Sequence, residues 1–132
     1  MTDIVDQTLK RWRQTPFEYG AADCLLSVGD YAVSRGAPDA LARFRGTYDT
    51  EDEALHHMAT NGGPSGLLDR FGLLRIDPAN AGRGDIVVIK PGSNDAGVGG
   101  ICTGEGVALR TERGVIEVSR RFVTIVHAWK VG

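Results

Sequence analysis

The stretch FEYGAADCLLSVGDY, residues 17–31, decides how this chain is read. Tyr19-Gly20 is a turn signal, and Asp23 directly precedes Cys24 at the entrance to an apolar run. Leu25, Leu26, Val28, Tyr31, Ala32 and Val33 recur at helical spacing. Asp23 therefore reads as the helix N-cap and Arg35-Gly36 as its end, with glycine as the C-terminal cap. Cys24 then falls on the first turn. A helix N-terminus helps a thiol to ionise, which suits a nucleophile. A free cysteine is equally a small hydrophobe that can begin a core face. Both readings stay open at this point.

Working outward, the flanking segments are also helical. Ile4, Val5, Leu9 and Trp12 mark one face of an amphipathic helix that Thr15-Pro16 breaks. Pro38-Asp39 opens a short helix expected to run through Phe44. Thr50, followed by Glu51-Asp52-Glu53, is an N-cap with an acidic first turn for a helix to about Thr60. Asn61-Gly62-Gly63-Pro64 ends it, and a further short helix spans Ser65 to Phe71. After Gly82-Arg83-Gly84 the period changes. Asp85 to Ile89 is a strand, with Asp85 anchoring the turn before it, and residues 91–95 form a loop. Gly99 to Thr103 and Gly106 to Arg110 make a hairpin around Gly104-Glu105. Gly114 to Val118 and Phe122 to Trp129 are further strands. Helices first and strands later predict one segregated α+β domain over residues 1–132, with a helical half to about residue 75 and a sheet half from about 84 to 131.

Composition narrows the function classes. The chain has 132 residues, 42% hydrophobic and 24% charged, which suits a packed core rather than disorder. A net charge of −2 gives no general attraction to nucleic acid, and the pairs Arg11/Arg13 and Arg120/Arg121 read as solvated faces. No apolar run approaches the roughly 20 residues of a transmembrane helix, and the charged N-terminus shows no signal-peptide core. Cys24 and Cys102 lie far apart with no metal-ligand spacing, so no metal or cofactor is expected. Cys102 reads as core, and nothing argues for a disulfide with Cys24.

The pieces Phe17-Glu18-Tyr19-Gly20, Asp23-Cys24 and Arg83-Gly84-Asp85-Ile86-Val87 together resemble the NlpC-type cell-wall cysteine peptidases. These are papain-like domains in which the cysteine-bearing helix packs on a small antiparallel sheet. The closer resemblance is to a divergent branch found in phages, prophages and gene transfer agents. Its marks continue with Arg45-Gly46-Thr47-Tyr48-Asp49-Thr50, Gly100-Ile101-Cys102-Thr103-Gly104 and Ala128-Trp129. The resemblance covers nearly the whole chain. It implies a tail hub or tip component, carried in the virion or phage-like particle tail and present in the bacterial cytoplasm during assembly. Other tail proteins would be its partners and a peptidoglycan stem peptide a possible substrate.

The same resemblance makes Cys24 the nucleophile position, facing the sheet, with Asp23 supporting it and the Tyr19 hydroxyl beside it. The histidine that serves the peptidases as base belongs near Gly97 or Val98, in Ala96-Gly97-Val98-Gly99-Gly100-Ile101, which contains no histidine. His127 is the remaining candidate base. In the strand IVHAW it shares a face with Ile125 and Trp129, and a packed histidine is its alternative role. His56 and His57, on a surface helix, read as solvated or packing residues. Trp129 reads as a core anchor or interface residue. Two functions from different classes follow: a thiol peptidase or amidase acting during genome delivery, and a catalytically inactive structural tail protein on the same fold.

Overall fold

Helical spacing in the first half and strand spacing in the second build an α+β fold, with four α-helices and a six-stranded antiparallel sheet among the described residues. The structure, a computed structural model, describes residues 3–90 and 97–131. The loop expected over residues 91–95 lies outside them. Helix α1 (Ile4–Gln14) buries Val5, Leu9 and Trp12, and Asp3 caps it by accepting the Asp6 N–H at 2.9 Å. Helix α2 (Cys24–Ser34) follows the Asp23 cap and is the most deeply buried, with Leu26, Val28 and Ala32 fully covered. Helix α3 (Glu51–Thr60) starts at Thr50, whose hydroxyl accepts the Glu53 N–H, and buries no residue completely. Helix α4 (Gly63–Asp69) places Pro64 in its first turn, where the missing N–H costs nothing. The helix expected from Pro38 to Phe44 is only a 3₁₀ turn, Ala42–Phe44, preceded by Leu41. Leu41 and Phe44 supply the segment's buried contacts, too few to hold a longer helix.

The strands are β1 (Arg75–Ile76), β2 (Ile86–Lys90), β3 (Val98–Cys102), β4 (Gly106–Thr111), β5 (Gly114–Ser119) and β6 (Thr124–Trp129). Their order across the sheet is β1-β6-β2-β3-β4-β5, so the last strand inserts between the first two. Strand β2 is apolar at four consecutive positions because both sheet faces are covered. Ile86 and Val88 join Ile101, Ala108 and Trp129 under the helices, with Leu26, Val28 and Tyr31. Val87 and Ile89 join Cys102, Val107 and Ala128 in a second core on the opposite face. Cys102 is fully buried there, and both cysteines are free thiols. Helix α2 packs across β3 and β4, α1 against β5, and α4 against β3.

Side-chain bonds fasten the two halves together. Arg83 reaches Asp3 and Asp6 at 2.7 and 2.9 Å, holding the turn before β2 to the start of α1. The Gly84 carbonyl accepts the buried Tyr31 hydroxyl at 2.6 Å. The Asp85 carboxylate takes the N–H of Gly82 and of Val131, anchoring both the turn and the chain's last described residue. Arg120 is a further tie and corrects its reading as a solvated residue. Its guanidinium donates to the Ala81 carbonyl at 2.6 Å and the Gly104 carbonyl at 3.3 Å, closing the second core.

The turn before α2 shows how tightly the helical segments interlock. Gly20 has φ +82°, its carbonyl accepts the Gly46 N–H at 2.8 Å, and a Cβ there would lie 2.0 Å from the Tyr48 carbonyl oxygen. Gly36 has φ +101°, with nothing within 4 Å of a Cβ. Gly36→Ala is therefore expected to lose about 1–3 kcal/mol through backbone strain alone. Gly20→Ala is expected to lose more, since it adds a backbone clash. Urea unfolding of the two variants checks the difference, and equal losses would contradict the close approach.

Candidate functional site

A cavity of about 450 Å³ opens at the N-terminus of α2. Cys24 and Leu26 line it from α2, and Phe17 and Tyr19 from the turn before. Tyr48 lines it from the segment before α3, with His57 and Met58 from α3 itself. Gly97, Val98 and Gly99 form the β3 wall, and Arg110 to Arg113 the wall from β4 and its following turn.

Asp23 builds the site. Its side chain is buried, and both oxygens are committed. Oδ1 accepts the Leu26 N–H at 2.9 Å, which caps α2. Oδ2 accepts the Gly20 N–H at 2.9 Å and the Tyr48 hydroxyl. One carboxylate thus closes the turn, starts the helix and holds Tyr48 against both. Burial, and then the adjoining Asp23 carboxylate, raise the Tyr48 hydroxyl above the ordinary tyrosine range, so it remains a donor.

Cys24 takes the first helical position and is half-buried. Three effects compete for its proton. Burial raises the thiol most, and the neighbouring Asp23 charge adds to that. The N–H groups of Leu25 and Cys24 at the helix end pull the other way. Burial and charge win, and the thiol is pushed up to about 11. At neutral pH Cys24 is a thiol, not a thiolate.

Tyr19 also lines the cavity, and its hydroxyl donates to Glu112 Oε1 in the β4–β5 turn. Burial and Glu112 raise its pKa, so it too stays protonated. The bond joins the turn before α2 to the far end of the hairpin.

His127, expected as the candidate base, is not among the residues that line the Cys24 cavity. It lies opposite Val88 on the helix-facing side of the sheet. Its Nδ1 lies 2.8 Å from Arg75 Nη1 and must accept, because a guanidinium has only donors. Burial and Arg75 both lower its pKa, so it is a neutral imidazole whose free lone pair is occupied. Arg75 in turn pairs with Asp69 at 2.8 Å, and Asp69 accepts the buried Trp129 Nε1–H at 2.9 Å. Trp129 is therefore a core anchor. The expected face shared by Ile125, His127 and Trp129 is also corrected. Val88 pairs with His127 but Ile89 with Ile125, so a bulge at Val126 turns Ile125 toward the second core.

Among the described residues, the histidine lining the Cys24 cavity is His57. It is half-buried between the rings of Phe44 and Tyr48, with centroids 5.6 and 5.3 Å away. His56 beside it is exposed. Three residues that sequence reasoning did not assign to the site therefore belong to its walls: Tyr48, His57 and Arg110. The Arg45–Thr50 motif was a signal for Tyr48. Nothing local marked Arg110.

The chain belongs to the DUF6950 family, described as a domain of unknown function, whose pattern matches residues 2–131. No curated protein and no solved structure matches it.

Removing the Asp23 carboxylate leaves the N–H of Gly20 and of Leu26 and the Tyr48 hydroxyl without their acceptor. Asp23→Ala is expected to lower stability by about 2–4 kcal/mol, the scale for a lost cap plus buried unsatisfied donors. Chemical denaturation measures it. A loss below about 1 kcal/mol, typical of an exposed cap alone, would show that Asp23 is not the joint described.

Proposed function

We propose that this protein is a hub or tip component of a phage-type tail, built on a papain-like NlpC-type scaffold, whose Cys24 cavity binds a ligand without hydrolysing it. The observation that carries the non-hydrolytic reading is the β3 wall of that cavity. Gly97, Val98 and Gly99 occupy it, at the place where the resemblance calls for a histidine, and none of them can accept a proton. The chemistry of the other groups agrees. The thiol stays protonated at neutral pH, Asp23 is engaged by Leu26, Gly20 and Tyr48, and His127 is held by Arg75. A nucleophilic cysteine needs the opposite arrangement.

The tail assignment rests on the motifs at residues 17–24, 45–50, 83–87, 100–104 and 128–129, in that order along the chain. Their contacts suit a scaffold, because each motif forms a joint of the fold. Tyr19-Gly20 and Asp23 interlock with Gly46 and Tyr48, Arg83 and Asp85 fasten the helical half to the sheet, Cys102 fills the second core, and Trp129 reaches Asp69. In this reading the partners are neighbouring tail proteins. The protein resides in the particle tail and passes through the bacterial cytoplasm during assembly.

A second reading is favoured by one observation, His57 on the same cavity as Cys24. A cysteine peptidase or amidase could use it as base. Cys24 Sγ would attack an amide carbonyl and give up its proton through His57 to the leaving amine, and water would then hydrolyse the thioester.

Incubating purified particles and isolated protein with peptidoglycan separates the two. No new amine ends or soluble stem peptides are expected, and Cys24→Ala and His57→Ala particles should assemble like wild type. Cleavage by wild type that both substitutions abolish would establish the second reading instead. Mass spectrometry that finds the protein only in host lysate, never in particles, would overturn the tail assignment.

A further inference from the structure

Arg110 is out of place for a surface cation. It lies on β4 opposite Val115, on the helix-facing side of the sheet, and only 2% of it is exposed. A guanidinium carries five N–H donors. In this structure Nη2 donates to the Thr15 carbonyl at the end of α1, while Nε and Nη1 are buried without a hydrogen-bond partner. A buried charge with unmet donors is costly unless an anion meets it.

The nearby acids do not meet it. Both Asp23 oxygens are engaged with Leu26, Gly20 and Tyr48, and Glu112 Oε1 takes the Tyr19 hydroxyl. Burial lowers the Arg110 pKa, and no carboxylate partner raises it back. Arg110 is also one of the residues that line the Cys24 cavity. That cavity has the volume of a small-ligand site and walls dominated by side chains such as Phe17, Leu26, Leu67 and Met58.

We infer that the Cys24 cavity is a carboxylate-binding site, in which Arg110 receives the anion and the apolar walls hold the body attached to it. The inference rests on reading this cavity as a binding site. A single buried guanidinium matches a single negative charge, and Arg is the side chain suited to a planar carboxylate. Asp23, Glu51 and Glu112 also line the cavity, only partly offset by Arg113, so a singly charged anion is repelled less than a phosphate dianion. The ligand class is therefore a monocarboxylate on an apolar body, such as an N-acyl amino acid or the C-terminal residue of a short peptide.

The test compares N-acetylphenylalanine with its uncharged amide, using the full chain uniformly labelled with ¹⁵N. The acid is expected to shift the Arg110 Nε–H resonance saturably, along with the Cys24 and Gly99 amides. It should bind at least about tenfold tighter than the amide, the scale of one charge-assisted hydrogen bond. Arg110→Met should abolish that preference, and Arg110→Lys should retain part of it. Equal binding of acid and amide would overturn the inference. So would an unmoved Arg110 Nε–H up to about 20 mM acid, a concentration above any useful affinity. If Arg110→Met does not fold, the Nε–H signal of the wild-type chain decides alone. Loss of the acid preference leaves the non-hydrolytic reading intact, whereas peptide cleavage would overturn that reading and leave the acid–amide comparison standing.

Discussion

The buried carboxylate of Asp23 is the constraint on which the site depends. Its two oxygens satisfy Leu26, Gly20 and Tyr48 at once, so three segments meet at one point. A hydrogen bond to a charged group contributes about 1.5–3 kcal/mol, and leaving its partner unmet when buried costs as much. The position of Cys24 follows from this joint, because the cap sets where α2 begins. The state of Cys24 follows from it as well. The carboxylate that starts the helix sits one residue from the thiol and raises its pKa further, beyond what burial alone does. The same carboxylate places a nucleophile-type residue and adds to the burial that keeps it protonated.

The other motifs extend this logic across the molecule. Arg83 ties the sheet to α1, Asp85 holds the turn and the C-terminal segment, and Trp129 hands its N–H to Asp69 beside Arg75 and His127. His127 is thereby absorbed into a structural network on a different part of the sheet from the cavity. What remains uncommitted lies around the cavity itself: a protonated thiol, a half-buried imidazole, and a guanidinium with two nitrogens unmet. That set is better suited to holding a ligand than to cutting one.

The helices and the sheet were legible where local patterns decide them. The Asp23 and Thr50 caps, the apolar face of α1 and the unbroken apolar run of β2 all carry their own signals. The two-residue β1 was not legible, since Arg75 and Ile76 become a strand only by pairing with Trp129 and Ala128 far along the chain. Nor was the bulge at Val126, because a period of two cannot reveal a register shift against β2. Of the site, Cys24, Asp23 and Tyr19 were visible from their order in the sequence. His57 was passed over because its helix has no fully buried residue, and only packing against Phe44 and Tyr48 brings it inward. Arg110 ends an ordinary hairpin strand, and its role shows only in the folded chain, where it is buried and bonded to the Thr15 carbonyl at the end of α1.

The most direct test of the account is the pH dependence of Cys24 alkylation by iodoacetamide in the folded chain, read by mass from the Cys24 peptide so that the buried Cys102 does not interfere. A thiol pushed up to about 11 predicts a rate still climbing above pH 9, with no plateau near neutrality and no change in His57→Ala. A rate already flat by about pH 7–8, lowered by His57→Ala, would reveal an imidazole-activated thiolate and contradict the account.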